Sequence, residues 1–494
     1  MKAIVNHKEI EIKETIVDRA IGYFSPEKQA QRMRARAIMA YAGSYVGASY
    51  SRRGLKSWVT SQGDADSDTL YDLDTLRQRS RDLARNAPLA VGAISANVTN
   101  VVGTGLKLQS RIDYEYLGLT EDQADAWEAN AERWFQFWAE SQECDAARTL
   151  TFYLLQELAF RQTIENGDSF TLTPRFKRSG SPFTLKLMLV EADRVCNINQ
   201  APDKEGLIAG IQKDTYGAPV AYHIMNTNPF EPYVQGKERS WKIVPAFGSQ
   251  TGLRNVIHLY RMLRPGQTRG VPYLAPVIET LKQLDRYTEA EIMAAVISSM
   301  FTVFIKTETG DENFDVTEMG EETGATTTDT DMKLASGAVI DLAAGESIET
   351  ANPNRPNSAF DPFVQAILQQ IGTALEIPYE ILIRHFSSSY SASRAALLEA
   401  WRFFKTRRQW LAVTFCQPIY EIWLYEQVAA GVIPAPGFFA DPMTRKAYSG
   451  ALWVGDAPGY IDPAKDIDAA VTRMESAIST LDEETTLITG GDFT

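Results

Sequence analysis

Pro276-Val277-Ile278-Glu279-Thr280-Leu281-Lys282-Gln283-Leu284-Asp285-Arg286-Tyr287-Thr288-Glu289-Ala290-Glu291-Ile292-Met293-Ala294-Ala295-Val296-Ile297-Ser298-Ser299-Met300 is the stretch from which the fold is read. From Val277 to Met300 it holds no Gly or Pro, and its Ala, Leu, Glu, Ile and Met favour a helix. Val277, Ile278, Leu281 and Leu284 form one apolar stripe. Further along, Ala290, Ala294, Ala295, Ser298 and Ser299 form a low-profile surface that another helix can approach closely. A second helix returns with Phe360, Phe363, Val364, Ile367, Leu368, Ile371 and Leu375 at helical spacing. Ser358 and Asp361 resemble a capping box at its start, and Pro378 predicts its stop. Between the helices, Phe301 to Lys306 and Ala338 to Leu342 read as strands. They flank Glu308 to Asp331, which is acidic, rich in Thr and Gly and free of Lys and Arg. Two helices and one lobe give each other too little cover, so packing on other parts of the chain or on identical copies is implied.

Outward from this hairpin, Arg384-His385-Phe386-Ser387-Ser388-Ser389-Tyr390 forms a short polar loop. Ser391 to Ala430 is then helical in pattern, with a kink predicted at Pro418. At 1.5 Å per residue this is on the order of 60 Å long. Tyr460-Ile461-Asp462-Pro463 precedes a last helix, about Ala464 to Leu481.

Before the hairpin, residues 1–65 read as an arm whose basic helix runs from Gln29 to Tyr41. Thr69 to Asn86, Leu89 to Val101, Thr120 to Glu140 and Leu150 to Ile164 read as helices. Gly103-Thr104-Gly105 lacks a third glycine and follows a helix, so it reads as a helix stop and not a nucleotide loop. Trp127, Trp134, Phe135, Phe137 and Trp138 are anchors for a core or a subunit interface. Ser169 to Thr173, Phe183 to Glu191, Val220 to Ile224 and Val256 to Tyr260 are strand candidates. Asn226 to Gly252, with its Pro and Gly, reads as loop. The fold class is therefore α+β, mainly α.

A chain of 494 residues supports several domains. Its formal charge of −14 argues against an outer surface that grips duplex DNA, while leaving room for one past which DNA slides. The longest apolar run, Ile292 to Ile305, is too short to span a membrane. Cys144, Cys196 and Cys416 are too few and too far apart to suggest a disulfide framework. His7, His223, His258 and His385 are scattered, with His223 and His258 inside strand patterns. No zinc, phosphate-loop or nucleophile-elbow motif occurs, so the residues imply no catalytic set, metal or cofactor. Ser387 to Ser389 beside His385 would suit a serine hydrolase only if a base and its orienter were fixed in space.

Several segments together resemble the lambda-type family of tailed-phage portal proteins. They are Leu76-Arg77-Gln78-Arg79-Ser80-Arg81-Asp82-Leu83-Ala84-Arg85-Asn86, Asn97-Val98-Thr99-Asn100-Val101-Val102-Gly103-Thr104-Gly105 and Arg264-Pro265-Gly266-Gln267-Thr268-Arg269-Gly270-Val271-Pro272. Ser389-Tyr390-Ser391-Ala392-Ser393-Arg394-Ala395, Trp401-Arg402-Phe403-Phe404 and Ile461-Asp462-Pro463-Ala464-Lys465-Asp466 complete the set. The resemblance implies a ring, usually of twelve subunits, at one capsid vertex, assembled in the host bacterial cytoplasm. Double-stranded DNA would pass through it without sequence readout. Terminase large subunit, head-tail adaptor proteins and the major capsid protein would be its partners, with no membrane involved. It implies a wing over 66–265, a stem helix over 266–300, a clip over 301–356 and a returning stem helix over 357–383. A tunnel loop over 384–390, a long kinked wing helix over 391–433 and a C-terminal crown over 434–494 follow. On this reading Arg384, His385, Ser387, Ser388, Ser389 and Tyr390 face DNA, and the small residues from Ala290 to Ser299 pack between subunits. Glu308, Asp311, Glu312, Asp315 and Glu318 would form the clip's docking surface. A capsid shell or scaffold protein is the alternative, and the serine hydrolase a more distant one.

Overall fold

The computed structural model describes residues 2–5, 8–11, 15–41, 47, 53–55, 57–231, 238–299, 303–307, 346–350, 360–386, 389–457 and 463–489. The chain divides into two units, Met1–Gly63 and Asp64–Thr494. In the first, β1 (Lys2–Val5) and β2 (Lys8–Glu11) pair antiparallel, and α1 (Ile16–Phe24) and α2 (Pro26–Tyr41) follow. The backbone N–H of Thr15 donates to Asp18 at 3.0 Å, capping α1, and Arg32 of α2 reaches the same buried carboxylate at 3.1 Å.

The second unit opens with α3 (Ala65–Asn86), whose first turn is capped by Asp64 accepting from the Ser67 N–H at 2.8 Å. Pro88 starts α4 (Pro88–Val101), a position where its missing N–H costs nothing. Gly103 and Gly105, with φ of 58° and 106°, end that helix as the sequence predicts. Then come β3 (Lys107–Ser110), α5 (Tyr114–Leu117), α6 (Glu121–Ala139) and α7 (Phe152–Asn166). Phe135 of α6 is the centre of the main core. The rings of Trp138, Phe152, Tyr420, Trp423 and Trp453 surround it at centroid distances of 5.1 to 5.8 Å. Trp127 is also buried, Trp134 is half-buried and Phe137 is exposed.

Two antiparallel sheets share a smaller core built from Phe170, Val190, Val195, Ile211, Tyr222, Ile224, Ala246 and Val256. Their strands are β4 (Asp168–Leu172), β5 (Met188–Val190), β6 (Leu207–Ile208), β7 (Ile211–Lys213), β8 (Pro219–Met225), β9 (Trp241–Pro245) and β10 (Val256–Tyr260). One sheet has the order β10-β4-β5, the other β6-β7-β8-β9. The strand predicted from Phe183 to Glu191 is shorter than its pattern. The N–H groups of Thr184 and Leu185 donate to the Glu426 carboxylate, at 2.6 and 2.8 Å, instead of to a ladder. In the region read as loop, β9 pairs along β8, with His223 opposite Ile243.

The remainder comprises α8 (Ile278–Ser299), β11 (Val303–Thr307), β12 (Glu346–Thr350), α9 (Phe360–Ala374), α10 (Tyr379–Leu382), α11 (Tyr390–Leu411), α12 (Gln417–Ala429), α13 (Pro442–Tyr448), β13 (Ala451–Val454), α14 (Pro463–Glu475) and α15 (Leu481–Thr489). β11 pairs with β12; the strand read at Ala338 to Leu342 lies outside the described residues, as do Ser358 and Tyr460 to Asp462. The returning helix stops at Ala374, before Pro378, because Glu376 turns left-handed with a φ of 56°. Between α11 and α12, a π-helical turn over Ala412–Cys416 absorbs the N–H that Pro418 lacks, and the residues flanking the turn keep right-handed helical dihedrals. The predicted last helix ends early, at Glu475, with Ala477 left-handed at a φ of 56°, and a further helix, α15, begins at Leu481, where the predicted one was to stop.

Candidate functional site

The two helices of the hairpin meet the rest of the unit at a joint built on Tyr273, just before α8. Its hydroxyl donates to the carbonyl of Leu375, past the end of α9, and accepts from Asn97 Nδ2 of α4 at 3.2 Å. Arg407 of α11 donates to Asn97 Oδ1 at 2.9 Å, and its guanidinium lies 4.5 Å from the Tyr273 ring centre and 4.2 Å from that of Phe403. Burial lowers the Arg407 pKa to about 10, against the opposing pull of Tyr273. Burial likewise raises the Tyr273 hydroxyl to about 12, with Arg407 opposing. Next to it, Arg408 donates to the carbonyls of Val101 and Asn100, at 3.0 and 2.9 Å, so a cation sits on the C-terminus of α4. Asp456 closes the following turn by accepting from the Thr104 N–H at 2.7 Å. Four elements are thus clamped where the hairpin leaves the body.

A second joint lies at the N-terminal side of α8 and is ionic. Asp168, fully buried, accepts from Arg77 Nη2 at 2.9 Å and Arg269 Nε at 2.5 Å, with His258 Nε2 at 3.4 Å. Arg81 and Arg77 reach Asp193, and Arg269 also donates to the carbonyls of Val195, Ala209 and Ala192 at 2.9, 2.9 and 2.8 Å. Burial alone would raise the Asp168 pKa, but the guanidiniums of Arg269 and Arg77 outweigh it and hold the carboxyl well below its usual range. Burial lowers Arg77 to about 10 and pushes His258 down, leaving the imidazole neutral and stacked between Phe170 and Tyr260 at 4.2 Å from each. Glycines permit the closeness: a Cβ on Gly270 would meet the Gly167 carbonyl oxygen at 1.9 Å.

The loop at 384–390 follows α10, with Arg384 left-handed at a φ of 54°. Arg384 and His385 are exposed, and the His385 N–H donates to the Glu380 carbonyl at 3.1 Å. Ser387 and Ser388 lie outside the described residues; Tyr390 starts α11, its side chain likewise undescribed. Ser389 has a local task of its own: its hydroxyl caps α11, accepting from the Ala392 N–H at 3.4 Å. On α8, Ala290 and Ala295 are exposed and Ala294 is half-buried, while the side chains of Ser298 and Ser299 are undescribed. Glu308, Asp311, Glu312, Asp315 and Glu318 lie outside the described residues. Among the described residues no cluster of three or more metal-ligating side chains occurs, and no helix is long and apolar enough to cross a membrane.

A sequence profile for phage portal proteins of the lambda family matches residues 51–408. The chain belongs to that family. Portal protein B of Escherichia phage lambda is 26% identical to this portal protein over 463 residues, covering 90% of this chain and 86% of its own. The portal protein of Escherichia phage N15 gives the same identity and coverage. A chain of the native gene transfer agent virion superposes with a TM-score of 0.45 at 12% identity, covering 84% of this chain and 92% of that one. The family is structural, and the portal protein is a component of the phage particle.

Three of the segments that carry the resemblance, 76–86, 97–105 and 264–272, lie at the two joints of this portal protein. Asn97, Asn100, Val101 and Thr104 serve the first, and Arg77, Arg81 and Arg269 the second. Sequence reading gave these residues no role. The signal was present at Arg77, a cation in register with the buried Leu73 and Ser80 on α3. Arg269 carried no such periodic mark, since its partners come from three separate stretches of chain, around Asp168, Ala192 to Val195 and Ala209.

Proposed function

We propose that copies of this portal protein close into a ring, of twelve subunits as in the family it belongs to, at one vertex of the capsid. The ring serves as a passive conduit for double-stranded DNA during packaging and ejection. It docks the terminase large subunit on the clip at 301–356, with adaptor and major capsid proteins as further partners. The supporting observation is the exposed apolar side of the helical hairpin: Ile292 and Met293 of α8 are 59% and 56% exposed, and Phe363 of α9 is 51% exposed. Such a face demands cover, and a head-to-tail neighbour supplies it. The wing over 66–265, the stem helices at 266–300 and 357–383, the tunnel loop at 384–390, the helix over 391–433 and the crown over 434–494 are assigned on the same reading. A bore with acidic walls repels phosphate and keeps DNA sliding, while Arg384 makes brief contacts.

Negative-stain microscopy of the purified chain tests assembly. Rings with an open centre are expected, whereas closed shells or persistent monomers count against the conduit. For the loop, Ser387→Pro with Ser388→Pro, leaving the Ser389 cap in place, is expected to preserve rings and lower the yield of DNA-filled heads. Normal filling would remove the loop from DNA handling.

A further inference from the structure

Between Asp168 and Glu191 this acidic chain has no carboxylate side chain, but it has Arg175, Lys177, Arg178 and Lys186. The first three sit on one side of a tight hairpin. Its strands are tied by the Phe176 N–H donating to the Thr184 carbonyl at 3.0 Å and the Lys186 N–H donating to that of Pro174 at 2.9 Å. The tip, Ser179-Gly180, is exposed, with Gly180 at a φ of 82° and open space where a side chain would be.

The hairpin is held rigidly at its base. Arg178 donates to the carbonyls of Asp145 and Ala146, at 3.1 and 2.5 Å, and stacks 4.9 Å from the Phe176 ring centre. Glu426 of α12 takes the two N–H groups of Thr184 and Leu185, and Trp138 Nε1 donates to the Leu185 carbonyl at 3.2 Å. Arg178 is thereby used up in mounting the hairpin. Arg175 and Lys177 are exposed, and among the described residues neither has a carboxylate within ion-pair range. Ser179 adds a hydroxyl donor on an exposed residue at the tip.

We infer that this hairpin is a preformed contact for the phosphate backbone of duplex DNA. Above the base, where Glu143 lies 3.8 Å from Arg178 and 3.6 Å from Lys186, the array is of donors: two cations and a hydroxyl on an exposed tip. That is the chemistry of sequence-independent phosphate binding. A flexible basic tail would need to be ordered on binding; a hairpin anchored at five points does not. Its anchor, Glu426, lies near the far end of the α11–α12 helix from Ser389, on the order of 55 Å away at 1.5 Å per residue. The contact is therefore separate from the loop at 384–390. The inference rests on the reading that DNA passes this protein, and it adds a second place of contact.

The test uses the assembled full-length protein and a fluorescent blunt-ended 30-base-pair duplex, with anisotropy measured across a sodium chloride series. Arg175→Ala with Lys177→Ala is expected to weaken binding and to flatten the slope of log K against log salt by about 1.8. Arg175→Lys with Lys177→Arg keeps both charges and is expected to restore the slope. An unchanged slope in the alanine variant, at an unchanged thermal midpoint, overturns the inference and points to an acidic protein surface as the hairpin's partner. Arg384→Ala, run in parallel, separates the two readings. If only Arg384→Ala alters binding, the conduit stands and the hairpin contact falls. If the wild-type ring neither binds duplex at low salt nor fills heads, both fall.

Discussion

Asp168 shows how much a single side chain can hold together. It joins α3 through Arg77, the segment before α8 through Arg269 and β10 through His258. Around it three guanidiniums face two carboxylates, counting Arg81 and Asp193, so the cluster has no negative charge to spare. Asp168→Asn keeps the shape but leaves Arg77 and Arg269 uncompensated in a dry site. It is expected to destabilise the chain by roughly 3–5 kcal/mol, read from urea or thermal melts. Acid acts on the same cluster. The folded pKa of His258 lies below the ordinary value of 6.5, so the unfolded chain binds more protons as pH falls from there, and stability declines. The Asp168 pKa is also depressed, so its contribution is complete above the ordinary carboxyl value of 3.8 and is lost on further acidification below it. The thermal midpoint should therefore drop as the pH falls below about 6.5 in the wild type. His258→Gln, which keeps a donor for Asp168, should lessen that slope; an identical slope would remove His258 from the account. None of this was legible beforehand, because the partners of Asp168 are scattered along the sequence and a buried arginine looks like a surface one until its neighbours are known.

At the scale of elements, the long helices were readable; the ends at Tyr41, Asn86 and Val101 match, whereas α2 and α3 start three and four residues before the positions read, at Pro26 and Ala65. The stretch from Val277 to Met300 became α8, which starts one residue later than the pattern, at Ile278, and runs to Ser299, the last described residue there. The returning helix ends earlier because a turn forms that its apolar pattern does not announce. The Ile377 N–H reaches back to the Gly372 carbonyl at 2.9 Å, and Glu376 occupies the left-handed position that glycine usually fills. Two substitutions there should have opposite signs. Glu376→Gly relieves a strained backbone and should stabilise by roughly 1 kcal/mol, its exposed pairing with Arg261 at 3.9 Å contributing little. Gly372→Ala places a Cβ 2.7 Å from the Ile377 carbonyl oxygen and should destabilise by roughly 1–3 kcal/mol. Equal and small effects in denaturant melts would mean that the turn relaxes freely. Strands were harder to read. β9 hid in a region whose Pro and Gly suggested loop, and β3 pairs with β13, at the other end of the chain, so no local pattern reports the pairing. Pro418 announced a disturbance in the long helix, but only the structure shows that a π-helical turn carries it.

For the whole molecule, the family was legible from six segments, three of them at the two joints, yet the surface that would make one chain part of a larger body was only half legible. The small residues Ala290, Ala294 and Ala295 were the marks noticed, but beside them lie Ile292 and Met293, larger and more than half exposed. A helix interior to a stable monomer would bury such side chains, which are worth roughly 1.5–3 kcal/mol each when removed from water. Here the inner stripe of Leu281 and Leu284 is already buried, so in the proposed ring the outer one would be covered by a neighbour. In a closed ring every subunit uses that face once, and the gain is repeated at each interface. Ile292→Glu with Met293→Glu should therefore spare the fold of the chain, since neither side chain supports the core. It should abolish rings, because each interface would lose its apolar contact and gain two buried charges. Native mass spectrometry and circular dichroism decide the matter together: monomers with an unchanged spectrum are the expected result. Rings that form normally would show that the neighbour covers a different face, and the assignment of α8 to the subunit interface would then be withdrawn.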